Sequence, residues 1–438
     1  MNYEYFRNFA DGMNNAILIA APSSGSGKTT VARGLMALLT RKGYTVQPMK
    51  CGPDYIDTKF HAAVTGRPSI NLDTFMATPD HVRHVAERYA ATADVCIIEG
   101  MMGLFDGYDG PRGSAAEIAR LLDVPVVMVV DARSAGYSLA PLLYGFSRWD
   151  KDLRLARVIY NKVGTARHEQ MLRKVSHDVG IDCLGCIPRS KDLENGERYL
   201  GLDFSSMGSA DRLADIIEEH IDWASLAGVL QLEKKSTGNA VQVTAASGKC
   251  HNAVVALNSE SFSFVYQETL DLMHGATHID PETDTALPAG TRLLYLPGGY
   301  PEKHLDTLTG NTSMRQSIAD YARRGGRIVA ECGGMMYLCQ SIVTDEGEYP
   351  MCGVLPYKVS FRKADRHLSL GYRRWTIDGI EMRGHEFHYS QFIGTQPTSA
   401  CQVMDARGNP VDSPIIRTGN IWASYIHLGR WPKMLIDK

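Results

Sequence analysis

The stretch Ala21-Pro22-Ser23-Ser24-Gly25-Ser26-Gly27-Lys28-Thr29-Thr30 limits what this chain can fold into more than any other. It follows an apolar run at 16–20 and precedes a helix-like segment at 31–40. Strand, glycine-rich turn and helix, in that order, make a loop whose backbone N–H groups converge on phosphate oxygens. The helix N-terminus adds its partial positive charge. In such a loop Lys28 reaches the β- and γ-phosphates and the Thr29 hydroxyl meets Mg²⁺. Ser24, Gly25, Ser26, Gly27 and Thr30 complete this candidate nucleotide-binding set. One position departs from G-x-x-x-x-G-K-[ST]: Pro22 stands where the first glycine falls. An ordinary glycine-rich βα turn is the alternative.

The first half of the chain then alternates. Apolar runs at 95–98, 124–130, 156–160 and 184–187 read as buried parallel strands with helical stretches between them. This is a doubly wound α/β pattern, in which ligands gather at the carboxyl ends of the strands. Polar residues stand there. Lys50-Cys51-Gly52-Pro53-Asp54-Tyr55-Ile56-Asp57 follows a short strand near 44–48, and Glu99 to Gly107 follows the 95–98 strand. Asp131 and Asn161-Lys162 end two others. A lone carboxylate at a strand end is often a helix N-cap. Several beside a phosphate loop suit Mg²⁺, directly or through water. Asp54 and Glu99 are the candidate metal ligands. Asp57 and Asp106 can serve the same end, order their loops or meet a substrate. Asn161 is placed to meet an adenine, with a plain turn as the alternative. Arg198, in a polar loop, can hold a substrate carboxylate bidentately or be a surface arginine.

With 438 residues the chain exceeds one ordinary core, so a second domain is expected. An amphipathic stretch at 209–223, capped by Ser209, ends a first domain of residues 1–228. A shift to Lys, Ser, Thr and Gly marks a linker at 229–250, and residues 251–438 form the second domain. There the strand candidates are 253–257, 292–296 and 327–330, and the helix candidates 262–274 and 314–324. A net charge of -3 argues against a general nucleic-acid surface. No run approaches the roughly 20 apolar residues of a membrane span. The polar N-terminus is unlike a signal or transit peptide. Nine scattered cysteines suit a reducing compartment, hence the cytoplasm. Cys183 and Cys186 have C-x-x-C spacing but no second pair at zinc-site spacing, and read as a buried strand end.

A second site stands in the second half. Gly325-Gly326-Arg327-Ile328-Val329-Ala330-Glu331-Cys332-Gly333-Gly334-Met335 has the form of a nucleophile elbow, a strand running into a sharp turn closed by glycines. A thiol at a helix N-terminus is expected to have a lowered pKa. Pro297-Gly298-Gly299-Tyr300-Pro301-Glu302 leaves another strand, and its N–H groups, that of Gly299 among them, can form an oxyanion hole with the Gly333 N–H. His427, in an apolar strand near the C-terminus, is the candidate base, with His385 and His388 as competitors.

Together and in this order the two sites resemble the cobyrinate a,c-diamide synthase family. The resemblance covers the chain from about Ile17 to Leu428. It rests on Ser24 to Thr29, Lys50 to Asp57, Glu99 to Gly107, Arg198 to Leu202, Pro297 to Glu302, Glu331 to Leu338 and Ser424 to Leu428. It implies a dethiobiotin-synthetase-like ATP domain joined to a flavodoxin-like glutamine amidotransferase domain. It further implies glutamine hydrolysis at a Cys332–His427 dyad. The ammonia then attacks acyl phosphates that ATP and Mg²⁺ form on the a and c acetates of cobyrinic acid. Lys28, Lys50 and backbone amides would hold phosphates, and Thr29, Asp54 and Glu99 Mg²⁺. Tyr55, Asp57 and Asp106 would meet substrate or couple ammonia transfer to phosphorylation. The position of a triad glutamate, two residues after the histidine, holds Gly429, as a dyad requires. The stretch 257–262 lacks an Arg-Asp pair common there. A nickel-sirohydrochlorin a,c-diamide synthase would keep both sites. Cobyric acid synthase shares both domains on a longer chain. A partition-ATPase-like nucleotide switch would need only the first site. A homodimer is left open.

Overall fold

The computed structural model describes residues 13, 15–190, 210–232, 252–257, 259–432 and 435. Its chain divides into two compact units, Met1–Val243 and Thr244–Lys438. Arg198, the Ser209 cap, and the proposed linker from residue 233 onward lie outside the described residues.

The first unit is built on seven parallel strands: β1 (Ala16–Ala20), β2 (Val46–Cys51), β3 (Ile70–Leu72), β4 (Val95–Glu99), β5 (Val126–Asp131), β6 (Leu155–Val163) and β7 (Cys183–Pro188). Their order across the sheet is β3-β2-β4-β1-β5-β6-β7. Alternate residues bury into opposite faces. Leu18, Ile98 and Met128 enter one core, and Ile17, Ile19, Ile97 and Val127 the other. Helices cover both faces, so the strands read as unbroken apolar runs. The chain order reverses around β1, which puts the loop after β1 at the switch point where α/β sheets bind ligands.

Helix α1 (Lys28–Arg41) begins three residues earlier than its apolar pattern suggests, because Gly27 caps it in the left-handed region at φ 95°. β6 runs through Asn161 and Lys162 rather than ending before them. The 209–223 stretch is two helices, Ala210–His220 and Trp223–Val229, so Val229 is helical rather than linker. The first of these packs on α1. Arg41 bonds Asp215 at 2.5 Å, and a Cβ added to Gly34 would meet Ile217 Cγ1 at 2.5 Å.

The second unit has a six-stranded sheet. β8 (Ala253–Ala256), β9 (Thr277–Ile279), β10 (Leu293–Leu296) and β11 (Arg327–Glu331) are parallel with the strand Ile421–Ser424, in the order β9-β8-β10-β11 and then that strand. Ile416–Thr418 adds an antiparallel edge. This is the flavodoxin-like order. The helices Leu305–Gly310, Thr312–Arg323 and Gly333–Leu338 bury on one face. On the other face lies a five-stranded antiparallel sheet that includes the hairpin Ser369–Ile377/Ile380–His388 and the strand Ile426–Leu428. The expected helix at 262–274 is only Gln267–Leu272, because Phe262 and Phe264 are buried in an irregular segment beside the 297–300 turn.

The α1 contact gives a stability prediction. Gly34→Val should cost about 1–3 kcal/mol by overpacking, read as a lowered midpoint in denaturant unfolding. An unchanged midpoint would contradict the close approach of the two helices.

Candidate active sites

In the first unit the sheet register assembles the site. Glu99 lies opposite Ile19 on one side and Lys50 on the other. Lys50 Nζ therefore meets Glu99 Oε1 at 2.8 Å, and also Asp57 Oδ2 at 2.6 Å and Asp54 Oδ2 at 3.8 Å. The Thr29 hydroxyl, on the first turn of α1, donates to Glu99 Oε1 at 2.6 Å. His61 Nε2 lies 2.7 Å from Glu99 Oε2 and its Nδ1 3.1 Å from Ser69 Oγ. Glu99 and His61 are fully buried and Lys50 nearly so. Burial works against the Lys50 ammonium, but Glu99, Asp57 and Asp54 outweigh it and hold the pKa above the ordinary lysine value. Burial also works against the Glu99 carboxylate, and Lys50 and His61 outweigh it in turn, keeping it ionised. Asp57 is raised, first by burial and then by the two neighbouring carboxylates.

Three carboxyl groups thus surround the Lys50 ammonium, and the Arg33 guanidinium also acts on Asp57 and Glu99. Among the described residues no three His, Cys, Asp or Glu side chains converge as ligands of one metal ion. Mg²⁺ on a nucleotide needs fewer, because phosphates and water supply most of its oxygens. Thr29, Glu99 and Asp54 fit that smaller role.

The other predicted residues are distributed around this cluster. Lys28 Nζ donates to the Met102 carbonyl at 2.6 Å, and Met102 sits in the left-handed region at φ 50°. Asn161 Nδ2 holds the Ser26 carbonyl at 3.0 Å, and Lys162 Nζ the Gly25 carbonyl at 3.1 Å. Both side chains therefore shape the phosphate loop. Asp106 accepts the Gly103 N–H at 2.9 Å, and Asp54 the N–H groups of Ile56 and Asp57. These carboxylates order their own loops. Leu104 N–H donates to the Ala21 carbonyl at 2.9 Å, which seats the 100–107 loop against Pro22. Tyr55 is mostly buried. His61 was not foreseen, since nothing in the local sequence separates it from an ordinary helix histidine.

In the second unit Cys332 occupies φ 45°, ψ -109°, the strained turn between β11 and the helix Gly333–Leu338. Its N–H donates to the Ser424 carbonyl at 2.7 Å. His427 is buried on the strand Ile426–Leu428. A methyl group on Gly298 would overlap the His427 ring and lie 3.0 Å from its Nε2 and 3.3 Å from Cys332 Cβ. Gly298 therefore separates the His427 ring from the Cys332 side chain, with room for no more than a hydrogen between them. A methyl group on Gly333 would lie 3.1 Å from Gly299 N, so the two candidate oxyanion donors adjoin. The 259–264 segment clamps this turn. Ser263 and Phe264 N–H groups donate to the Gly298 carbonyl, and the Tyr300 N–H to the Glu260 carbonyl. Glu260 also bonds Lys303 and His304. That gives the segment a role without an Arg-Asp pair.

Of the competing histidines, His388 is engaged by other groups. His388 bonds Glu386 Oε1 and the Ser390 carbonyl, each at 2.8 Å, and stacks on Tyr425. His385 lies across the strand from His427 and packs edge-on to Tyr372.

One expectation is corrected. The Cys332 pKa is raised, not lowered, because burial dominates, Glu302 adds repulsion, and the Gly333 N–H offsets only part. Burial, with His385 and His388 nearby, pulls His427 down to about 3. Resting Cys332 and His427 are thus a neutral thiol and a neutral imidazole. Cys183 and Cys186 sulfurs lie 3.8 Å apart at the start of β7, both as thiols.

A nucleotide-binding unit joined to a thiol–imidazole unit is the arrangement of a glutamine-dependent ligase that forms C–N bonds. Comparison with known proteins agrees. Residues 17–202 match the CobQ/CobB/MinD/ParA nucleotide binding domain, and 253–432 the CobB/CobQ-like glutamine amidotransferase domain. The chain is 38% identical over 428 residues to hydrogenobyrinate a,c-diamide synthase of Brucella abortus, covering 94% of this chain and 97% of that protein. It is 37% identical to the protein of that name from Mycobacterium tuberculosis, covering 94% of each. The chain belongs to the a,c-diamide synthase family. No helix among the described residues is long and apolar enough to cross a membrane.

Gly298→Ala should displace the His427 ring and reduce glutamate release from glutamine about 100-fold, with nucleotide affinity unchanged. Wild-type release from this variant would contradict the placement of the two groups at Gly298.

Proposed function

We propose that this ligase converts the a and c acetate side chains of a corrin acid to amides, with ATP and glutamine consumed at each. The relatives are named for hydrogenobyrinate, which favours a corrin acid over nickel-sirohydrochlorin. Cobyrinic acid is the second corrin acceptor to test.

At the second site His427 Nε2 takes the Cys332 proton as the thiolate attacks the glutamine amide carbon. The Gly299 and Gly333 N–H groups stabilise the oxyanion. Ammonia leaves with the proton returned by His427, and water then releases glutamate from the thioester. At the first site a substrate carboxylate attacks the γ-phosphate, and the resulting acyl phosphate supplies the leaving group that a bare carboxylate lacks. Ammonia displaces phosphate and gives the amide. Lys28, Lys50 and the loop N–H groups hold the phosphates. Mg²⁺, held by Thr29, Glu99 and Asp54, would neutralise phosphate charge. Asp57, Asp106, Tyr55 and Arg198 remain the residues proposed to meet substrate or couple the two halves. The observation that carries this reading is Cys332 and His427 closing on Gly298 from two sides, on the same chain as the Thr29–Glu99–Lys50 cluster.

With hydrogenobyrinate or cobyrinic acid, wild type should release two ADP and two glutamate per diamide. Cys332→Ala should lose glutamine-dependent product and retain product with ammonium chloride. Product from neither corrin acid, or glutamine hydrolysis unchanged in Cys332→Ala, would overturn the reading. A protein that hydrolyses ATP without any macrocycle and ignores the Cys332 change would instead be a nucleotide switch.

A further inference from the structure

The reaction as described leaves one buried carboxylate without a task. Glu331 immediately precedes the nucleophile. Strand alternation puts it on the β11 face opposite Ala330 and Cys332, toward the antiparallel sheet that carries His427. There Tyr295 O–H donates to Oε2 at 2.8 Å, and the Leu428 N–H donates to Oε1 at 3.1 Å. Oε2 also lies 3.7 Å from His427 Nδ1, the ring nitrogen other than the one nearest Gly298. One carboxylate therefore grips the backbone next to His427 and faces its ring, while the residue on its other side is Cys332.

We infer that Glu331 is the positioning residue for His427: it orients the Nδ1–H so that Nε2 faces Cys332, and balances the imidazolium formed in the reaction. It does the work of a triad carboxylate, supplied from the strand before the nucleophile because Gly429 cannot supply it from beyond the histidine. The inference rests on the amidotransferase reading of Cys332 and His427. At 3.7 Å the contact is longer than a hydrogen bond, and a positive ring draws it in, as resting catalytic contacts commonly tighten in the reacting complex. No bond to Glu331 forms or breaks: the proton passes from the Cys332 thiol to His427 Nε2 and on to the departing ammonia. A neutral resting pair makes this help necessary, since the imidazolium arises only during reaction in a buried site.

The titratable groups facing His427 are Glu331, His385, His388 and Glu386, with the Phe264 backbone also bonding the ring, and those facing Glu331 are Tyr295, His427 and Cys332. Burial pushes the Glu331 carboxyl up to about 8, offset in part by Tyr295 and the Leu428 N–H. The carboxylate form is the useful one, so glutamate release should climb as pH rises toward 8.

The test is Glu331→Gln in the full chain, which keeps shape and hydrogen bonding but no charge, with Glu331→Asp beside it. Glutamate release is followed between about pH 6 and pH 9, and diamide formation is measured with glutamine and with ammonium chloride. Glu331→Gln should lower kcat with glutamine about 10- to 100-fold, leave KM and the ammonium chloride reaction near wild type, and flatten the climb with pH. Glu331→Asp should recover part of the rate and the climb. Wild-type rate and pH profile in Glu331→Gln would overturn the inference. So would equal loss of both reactions with a lowered melting temperature, which would make Glu331 structural only. If Cys332→Ala, run alongside, still hydrolysed glutamine, the amidotransferase reading itself would fall.

Discussion

The buried Glu99 carboxylate is the contact on which the first unit's chemistry depends. It ends a central strand with no exposure to solvent and accepts from Thr29, Lys50 and His61. An isolated carboxylate there would protonate rather than stay charged. Its three partners keep it ionised, and each comes from a different element: α1, β2 and the helix Asp57–Thr65. The phosphate loop is thereby tied to the two strands whose ends carry the other polar residues. The carboxyl groups gathered there suit the Mg²⁺ ion of a nucleotide complex rather than its anionic phosphates.

The second unit uses burial in the opposite sense. Cys332 and His427 are both shut from water and neither has a charged partner strong enough to offset it, so both rest uncharged. Reactivity has to be created when glutamine arrives, through geometry: a strained elbow, a glycine at the meeting point and two adjoining N–H donors. In the proposed reaction such a site would be quiet until glutamine binds. That suits an enzyme in which ammonia released before the acceptor is activated would be wasted.

Much of this was legible in the sequence because strand ends are conspicuous. The phosphate loop, Lys50, Glu99 and the Cys332 elbow each follow an apolar run, and sheet register brings the first three together. His427 is separable in sequence from His385 and His388 only by position, and the structure distinguishes it by its ring, which closes on Gly298 beside Cys332, while His388 bonds Glu386 and Ser390. His61 and Glu331 were hidden, since each acts through contacts 38 and 96 residues away in sequence, respectively to Glu99 and His427. The Cys332 thiol departs from the helix-terminus expectation because the helix after it is only six residues long, and burial outweighs its N-terminal field. The antiparallel sheet carried a signal that pattern reading passed over. Asp378-Gly379, both at positive φ, is a hairpin turn between Ser369–Ile377 and Ile380–His388.

The central claim is that the nucleotide is spent activating a substrate carboxylate. The most direct measurement uses a corrin acid with ¹⁸O in its a and c carboxylates. The phosphate released with ATP and glutamine is then analysed by mass spectrometry. The account predicts one ¹⁸O transferred to phosphate for each amide formed. Phosphate free of ¹⁸O, alongside normal diamide formation, would contradict it.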